Sequence, residues 1–160
     1  MYRFLMVLTI SSTVGLQAWR TLFNNFSVEV AGLDGKHIGI IQSVREVPGF
    51  LTFLIIFALF VVREHRLSAL SILVLGLGVA ATGFFPSYFG LLLTTLLMSI
   101  GFHCYETTNQ SLSLQYFDQS KSPWVLGKMR SFASAANIAV GILIYGLASV
   151  LNYTQIYFVI

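Results

Sequence analysis

Residues 67–115 read LSALSILVLGLGVAATGFFPSYFGLLLTTLLMSIGFHCYETTNQSLSLQ, two long apolar runs joined by Pro86-Ser87-Tyr88. A helix needs roughly 20 mostly apolar residues to cross the hydrocarbon core of a bilayer, and each run comes close to that length or exceeds it. Proline kinks or breaks the interior of a helix, so the short link predicts a tight turn between antiparallel neighbours. The stretch therefore predicts a pair of membrane-spanning helices.

The same pattern extends over the rest of the chain. Apolar runs lie at about Phe4–Asn24, Ile38–Val62, Leu67–Phe85, Phe89–Gln115 and Trp124–Val150, and a sixth begins at Tyr153 and stops at Ile160. A membrane barrel would instead show alternating segments of about 10 residues. We predict an all-α membrane protein, a bundle of five transmembrane helices plus the start of a sixth. Because the last run is too short to span, we expect the chain to be part of a longer one.

The composition supports lipid as the main solvent. Hydrophobic residues make up 56% of the chain and charged residues 9%, whereas soluble domains carry roughly 25% charged residues. The single cysteine, Cys104, excludes a disulfide scaffold and a cysteine metal site. The net charge of +3 is spread along the chain, which argues against a nucleic-acid partner. No metal-binding or phosphate-loop motif is present, so we expect neither a metal nor a cofactor.

The basic residues predict the orientation in the bilayer. With loops placed alternately on the two sides, one side collects Arg3, Arg63, Arg66, Lys121, Lys128 and Arg130. The other side has only Lys36, together with Glu29 and Asp34. By the positive-inside rule the amino terminus is cytoplasmic, and we expect a multi-pass protein of the plasma (inner) membrane. Alternatively, the first run is a cleavable signal with Leu16-Gln17-Ala18 as its cleavage site.

Polar residues recur at helical spacing in four of the five runs. The first stripe consists of Thr9, Thr13, Gln17, Arg20 and Asn24, and the second of Gln42, Arg45, Glu46 and Gly49. The fourth run carries Ser99, His103, Glu106, Gln110 and Ser113, and the fifth carries Arg130, Ser134, Asn137 and Gly141. Residues three or four apart share one helix face, which should point away from lipid. The third run offers only the small hydroxyls of Ser68, Ser71 and Thr82, so we expect it to be lipid-facing and peripheral.

The ionisable and amide residues of these stripes are candidates for a solute pathway. They are Gln17, Arg20, Gln42, Arg45, Glu46, His103, Glu106, Arg130 and Asn137. Charged groups inside a membrane are costly and indicate function or structural ion pairs. Small and hydroxyl residues such as Ser131, Ala135 and Ala139 also serve simple helix packing.

Depth along the helices suggests which charged groups pair. Arg20 and Glu46 lie at a similar depth near the outer ends of the first two helices, which predicts an ion pair. Glu106 and Arg130 could meet near the cytoplasmic end of a cavity. With His103 one turn above it, Glu106 would titrate or bind solute while Arg130 holds its charge.

Short motifs accompany this polarity pattern. Arg63 and Arg66 match the basic anchors of the turn Gly-x-Leu-Ala-Asp-Arg-x-Gly-Arg-Arg, with Val62 in place of the acid. Gly101 matches Arg-x-x-x-Gly, with Leu97 in place of the arginine. A further match, to the entry into a fifth helix, is Tyr116-Phe117 with Leu126-Gly127. Over essentially its whole length the chain resembles the amino-terminal half of a major facilitator superfamily transporter.

The resemblance implies six helices in two three-helix repeats. The first and fourth helices would line a central cavity, the second and fifth would flank it, and the third would be peripheral. Arg63 and Arg66 would form a cytoplasmic gating turn. The resemblance also implies a second six-helix half, so the expected partners are the lipid bilayer and the missing carboxyl-terminal half or a second chain.

These features predict secondary active transport, as a symporter or uniporter, of a small polar or charged solute, with a proton or a sodium ion as the candidate coupling ion. A non-transporting membrane subunit or assembly module is the alternative. A membrane-embedded enzyme would use His103, Cys104 and Glu106. Neighbouring residues, however, point about 100° apart on a helix, and no His-Glu-x-x-His spacing is present. We therefore expect no enzyme activity.

Overall fold

The computed structural model describes all of residues 1–160, and the chain is all-helical. The helices are α1 (Tyr2–Glu29), α2 (Gly35–Phe50), α3 (Ile55–Leu59), α4 (Glu64–Thr82), α5 (Tyr88–Tyr116), α6 (Ser122–Leu147) and α7 (Tyr153–Val159). A 3₁₀ turn, Thr52–Leu54, connects α2 to α3. The all-α prediction is therefore confirmed.

Three helices, α4, α5 and α6, are long and apolar enough to cross a membrane. The bent pair formed by α2 and the segment 52–59 makes one further span if its two pieces are counted together. α1 has 28 residues, about 42 Å of helix, but its polar stripe makes it less apolar than the other three. Several apolar helices thus support a membrane protein, while five spans plus a sixth are not confirmed.

The prediction of one continuous helix over 38–62 is wrong. α2 ends at Phe50, and the chain bends by 41° before the segment 52–59. Pro48 lies inside α2 and has no N–H to donate to the carbonyl of Val44, which weakens the helix just before it ends. Proline therefore divides the apolar run where hydropathy alone indicated a single helix.

The predicted gating turn lies at the start of α4 rather than in a loop. α4 begins at Glu64, so Arg66 belongs to its first turn and Arg63 precedes the helix as its N-cap residue. Both arginine side chains are exposed. The connection between the bent pair and α4 is made by residues 60–63.

α1 contacts four other helices, α4, α5, α6 and α7. Its apolar face contributes large buried side chains, including Trp19, Phe23 and Phe26. The rings of Trp19 and Phe23 stack with their centroids 4.2 Å apart, and Phe26 meets Tyr157 of α7 edge to face. α1 thus buries its apolar face in the bundle, which leaves its polar stripe on another side.

α4 and α5 form the most extensive helix pair. Their backbones approach closely at two glycines: a Cβ on Gly78 would lie 2.7 Å from Met98 Cα, and one on Gly101 would lie 2.6 Å from the Ser71 carbonyl oxygen. Small residues let membrane helices approach in this way. The small hydroxyls of α4 are buried, and leucines such as Leu73 face outward. The outward face of α4 is thus apolar, as expected of a lipid-facing helix, while its hydroxyl face packs inside the bundle.

The loop before α2 carries a pH-sensitive cap. The backbone N–H of His37 donates to Asp34 Oδ1 at 2.9 Å, and His37 Nδ1 lies 2.6 Å from the same oxygen. These contacts, the backbone hydrogen bond first, hold the pKa of Asp34 below its usual value. Such a carboxylate stabilises the folded form above its unfolded pKa of about 3.9, and this contribution is lost as the pH falls through the folded value.

We expect acidification from about pH 5 to about pH 3 to lower the hydrogen-exchange protection of the His37 N–H. Asp34→Asn keeps a good N-cap that does not titrate, so it should hold the same protection at both pH values. Hydrogen exchange, corrected for the intrinsic rate at each pH, measures this. Equal acid sensitivity of the two proteins would show that Asp34 is not the cause.

Candidate functional site

A cavity of about 690 Å³ lies between α1, α5 and α6. It is open because α6 packs along α1 but makes few contacts with α5. Its polar lining consists of Thr9, Ser12, Thr13, Gln17 and Arg20 from α1, Tyr105, Glu106, Asn109 and Gln110 from α5, and Arg130, Ser134 and Asn137 from α6. The polar stripes of three helices thus face one space.

α1 and α5 are joined at the level of Thr9. The Tyr105 hydroxyl donates to Thr9 Oγ1 at 3.0 Å, and the Thr9 hydroxyl donates to the Leu5 carbonyl at 2.8 Å. Both side chains are buried. From Thr9 to Arg20 the axis of α1 rises by about 16 Å, so the cavity extends over about three helical turns.

An apolar cluster closes the cavity at the end where α1 begins. Its buried members are Leu5, Leu112, Val125 and Met129. Tyr2 adds aromatic contacts, because its ring centroid lies 6.5 Å from those of Phe117 and Trp124. Arg130 directly follows Met129, so the α6 stripe begins where this apolar cluster ends.

The three charged groups of the larger cavity are Arg20, Glu106 and Arg130. The ion pairs of the structure are Asp34–His37, Arg45–Glu46 and His103–Glu106, the last with 3.9 Å between Nδ1 and Oε2. The two that involve histidine carry opposite charges only when the imidazole is protonated. The predicted Glu106–Arg130 pair is therefore not formed. Both side chains line the same cavity, but they stay apart because open space separates α5 from α6.

A much smaller cavity of about 40 Å³ lies between α1, α2 and α5. Four predicted site residues line it: Arg20, Arg45, Glu46 and His103. The predicted Arg20–Glu46 pair is not formed, because Glu46 Oε1 accepts from its neighbour Arg45, whose Nε lies 2.9 Å away. Arg20 thus borders both cavities without a carboxylate partner.

The His103 imidazole packs against α2 at Gly49. A Cβ at Gly49 would lie 2.9 Å from His103 Cε1, so a larger residue would displace the ring. One turn earlier on α5, the Ser99 hydroxyl donates to the backbone carbonyl of Arg45. His103 therefore lies between α2 and Glu106 of its own helix, beside the end of α2 where the chain bends.

No family model, curated protein or solved structure matches this chain. The geometry of the two cavities is therefore the basis for any functional proposal. The larger cavity brings together Gln17, Arg20, Glu106, Arg130 and Asn137, and the smaller one adds Arg45, Glu46 and His103. Gln42 lines neither and is half-buried on α2. No three His, Cys, Asp or Glu side chains come together in a way that could hold a metal ion.

Three lining residues, Ser12, Tyr105 and Asn109, were not singled out from the sequence. Asn109 lies four residues after Tyr105 and three residues after Glu106. Helical spacing therefore places Asn109 on the side of α5 that carries both residues, and this was the available signal. The Oδ1 atom of Asn109 is buried without a hydrogen-bond partner.

Proposed function

We propose that this chain forms one wall of a secondary active transporter for a small polar or charged solute, with a fold like the amino-terminal half of the major facilitator superfamily. The observation that carries the proposal is the polar cavity of about 690 Å³ between α1, α5 and α6. Small-molecule sites usually measure roughly 300–1,000 Å³. In the major facilitator superfamily, which the chain resembles, the first and fourth spans line the solute path. Here α1 and α5 would be these two spans.

The location of the α1 stripe supports counting this helix as a span. Thr13, Gln17 and Arg20 line the cavity instead of facing lipid, so their polarity does not oppose membrane residence of the assembled bundle. The five spans would be α1, α2 with α3, α4, α5 and α6, and α7 would begin a sixth. With the amino terminus in the cytoplasm of a plasma (inner) membrane, the apolar cluster around Leu5 closes the cytoplasmic end.

The open side between α5 and α6 supports a second wall. α6 makes few contacts with α5, and its residues Arg130, Ser134 and Asn137 line the cavity beside this opening. A further segment of chain or a second chain that packs over the opening would complete the cavity. Glu106, beside His103, is the candidate to carry a coupling proton.

Thiol accessibility tests whether the cavity holds water. In a Cys104→Ser background, Asn137→Cys places a thiol at the cavity wall, and Leu73→Cys places one on the outward face of α4 as a control. A membrane-impermeant methanethiosulfonate should label the cavity thiol at least about tenfold faster, because the reactive thiolate forms only in water. Equal or absent labelling would contradict the proposal.

Transport is the second measurement on the same variants. The complete natural protein in proteoliposomes is assayed for exchange of sugars, amino acids, organic acids and organic cations. We expect exchange of at least one solute, and we expect labelling at Asn137→Cys but not at Leu73→Cys to reduce that exchange. If no solute is exchanged, the transporter proposal is wrong.

A further inference from the structure

The charges of the larger cavity are unbalanced. Two arginines, Arg20 and Arg130, line it together with a single carboxylate, Glu106. The acid of the smaller cavity does not restore the balance, because Glu46 is bound to Arg45. The larger cavity therefore carries an excess of one positive charge.

Neither guanidinium in this cavity has a partner within the protein. Arg20 and Arg130 belong to none of the three ion pairs. Arg130 engages Ser134 only through its backbone carbonyl, which accepts from the Ser134 hydroxyl at 3.1 Å. A guanidinium offers five N–H donors in a planar fork that fits a carboxylate or a phosphate. Two unpaired forks at the wall of a polar cavity indicate an anionic ligand.

The two arginines lie at different depths. Arg130 follows Met129, which belongs to the apolar cluster at the closed end, whereas Arg20 lies about 16 Å beyond Thr9 along α1. Gln110, whose side-chain amide can donate a hydrogen bond, lines the same cavity six residues from the end of α5, a depth similar to that of Arg130 on α6. Arg130 is thus placed to hold a ligand among polar groups, and Arg20 is placed to attract it at the mouth.

We propose that the cavity binds a small anion with a carboxylate or phosphate group, held by Arg130 at the closed end and attracted by Arg20 at the mouth. This assignment rests on the proposed function, because it uses the same cavity. An anionic phospholipid headgroup that enters between α5 and α6 would present the same chemistry as a soluble anion. The experiment therefore distinguishes these two sources.

The test places one thiol near Arg130, as Ser134→Cys in a Cys104→Ser background of the full chain in phosphatidylcholine nanodiscs. It compares an anionic sulfonatoethyl with a cationic trimethylammonioethyl methanethiosulfonate, each normalised to its rate with a small neutral thiol in solution. We expect the anionic reagent to react about tenfold faster, because the excess positive charge attracts it. Millimolar inorganic phosphate or succinate should slow the labelling at least about threefold, because a bound anion occupies the site.

Variants assign the roles of the arginines. Arg130→Gln should abolish protection by phosphate or succinate, and Arg130→Lys should keep the rate preference but weaken protection, since it keeps the charge without the planar fork. A folding defect would change the rate preference and the protection together, so it would not produce this pattern. Arg20→Gln should reduce the rate preference about threefold and leave protection in place. Arg3→Gln, an exposed arginine outside the cavity, should change neither.

The lipid arm uses nanodiscs that contain phosphatidylglycerol. If labelling in these nanodiscs is slower than in phosphatidylcholine and phosphate does not slow it further, the bound anion is a lipid headgroup. If phosphate protects the thiol as strongly as it does in phosphatidylcholine, the bound anion is soluble. Equal normalised rates for the two reagents, or protection by glucose or choline but not by any anion, would overturn the anion assignment and leave the proposed function standing. A thiol at position 134 that neither reagent labels would overturn both.

Discussion

Replacing Gly101 with leucine should lower the free energy of unfolding by about 3 kcal/mol or prevent folding altogether. A Cβ at this position would lie 2.6 Å from the Ser71 carbonyl oxygen and 2.9 Å from Leu75 Cα. Both are backbone atoms of α4, so no rotamer change can make room for the side chain. α5 would have to move away from α4, and these two helices form the most extensive contact in the structure.

Gly76→Leu is the matched control for this prediction. Gly76 lies on α4, and a Cβ there would meet no atom within 4 Å. The control gains the same helix propensity as Gly101→Leu without the clash. Titration with sodium dodecyl sulfate in mixed micelles, followed by circular dichroism, measures the unfolding free energy. Equal stabilities of the two variants would show that α4 and α5 do not pack this closely.

The second large effect is expected at Glu106. Glu106 lies ten residues from the end of α5 and Arg130 eight residues from the start of α6, so the two share a depth in the cavity. The carboxylate of Glu106 opposes an anion held by Arg130, and Glu106→Gln removes that charge while keeping the size of the side chain. We therefore expect it to bind the anion about tenfold more tightly at about pH 7 and to lose proton-driven uptake.

Two measurements separate these effects. Phosphate or succinate protection of the thiol at position 134 reports binding, and an imposed proton gradient across proteoliposomes of the complete natural protein reports coupled uptake. Glu64→Gln is the control, because Glu64 accepts from Gln115 Nε2 at 2.8 Å and lines neither cavity. Proton-driven uptake that survives in Glu106→Gln would exclude Glu106 from the coupling step.

The helical class and the polar faces could be predicted because both depend on local spacing. Gln17 and Arg20 share a face of α1, and Arg130 and Asn137 share a face of α6, so their common cavity follows once these helices pack. The bend after α2 did not follow from hydropathy, because the residues on both sides of it are similarly apolar. Pro48 was the local signal. The bend would have been predicted only if this single proline had been given more weight than the long apolar run around it.

Which side chains form ion pairs and hydrogen bonds with one another was visible only in the three-dimensional structure. Arg20 and Glu46 were expected at the same depth, and they do line one small cavity. Arginine and glutamate side chains each reach several neighbours, however, and Glu46 binds the adjacent Arg45 instead. The hydrogen bond from Tyr105 to Thr9 was not predictable either, because it exists only where α1 and α5 cross. Spacing along one helix cannot predict such a crossing.

α1 is synthesised before the helices that shield its polar stripe. At the translocon each segment partitions according to its own hydrophobicity, and an arginine at the centre of a helix costs roughly 2.5–3.5 kcal/mol, with a smaller cost nearer its end. α5 and α6, which line the cavity opposite this stripe, emerge later and are apolar enough to enter lipid unaided. α1 would then remain at the translocon or at the membrane–water interface until those helices are inserted. Its residence in the bilayer would be a property of the assembled bundle. Biogenesis would be cooperative, because stable insertion of α1 would depend on the helices that follow it.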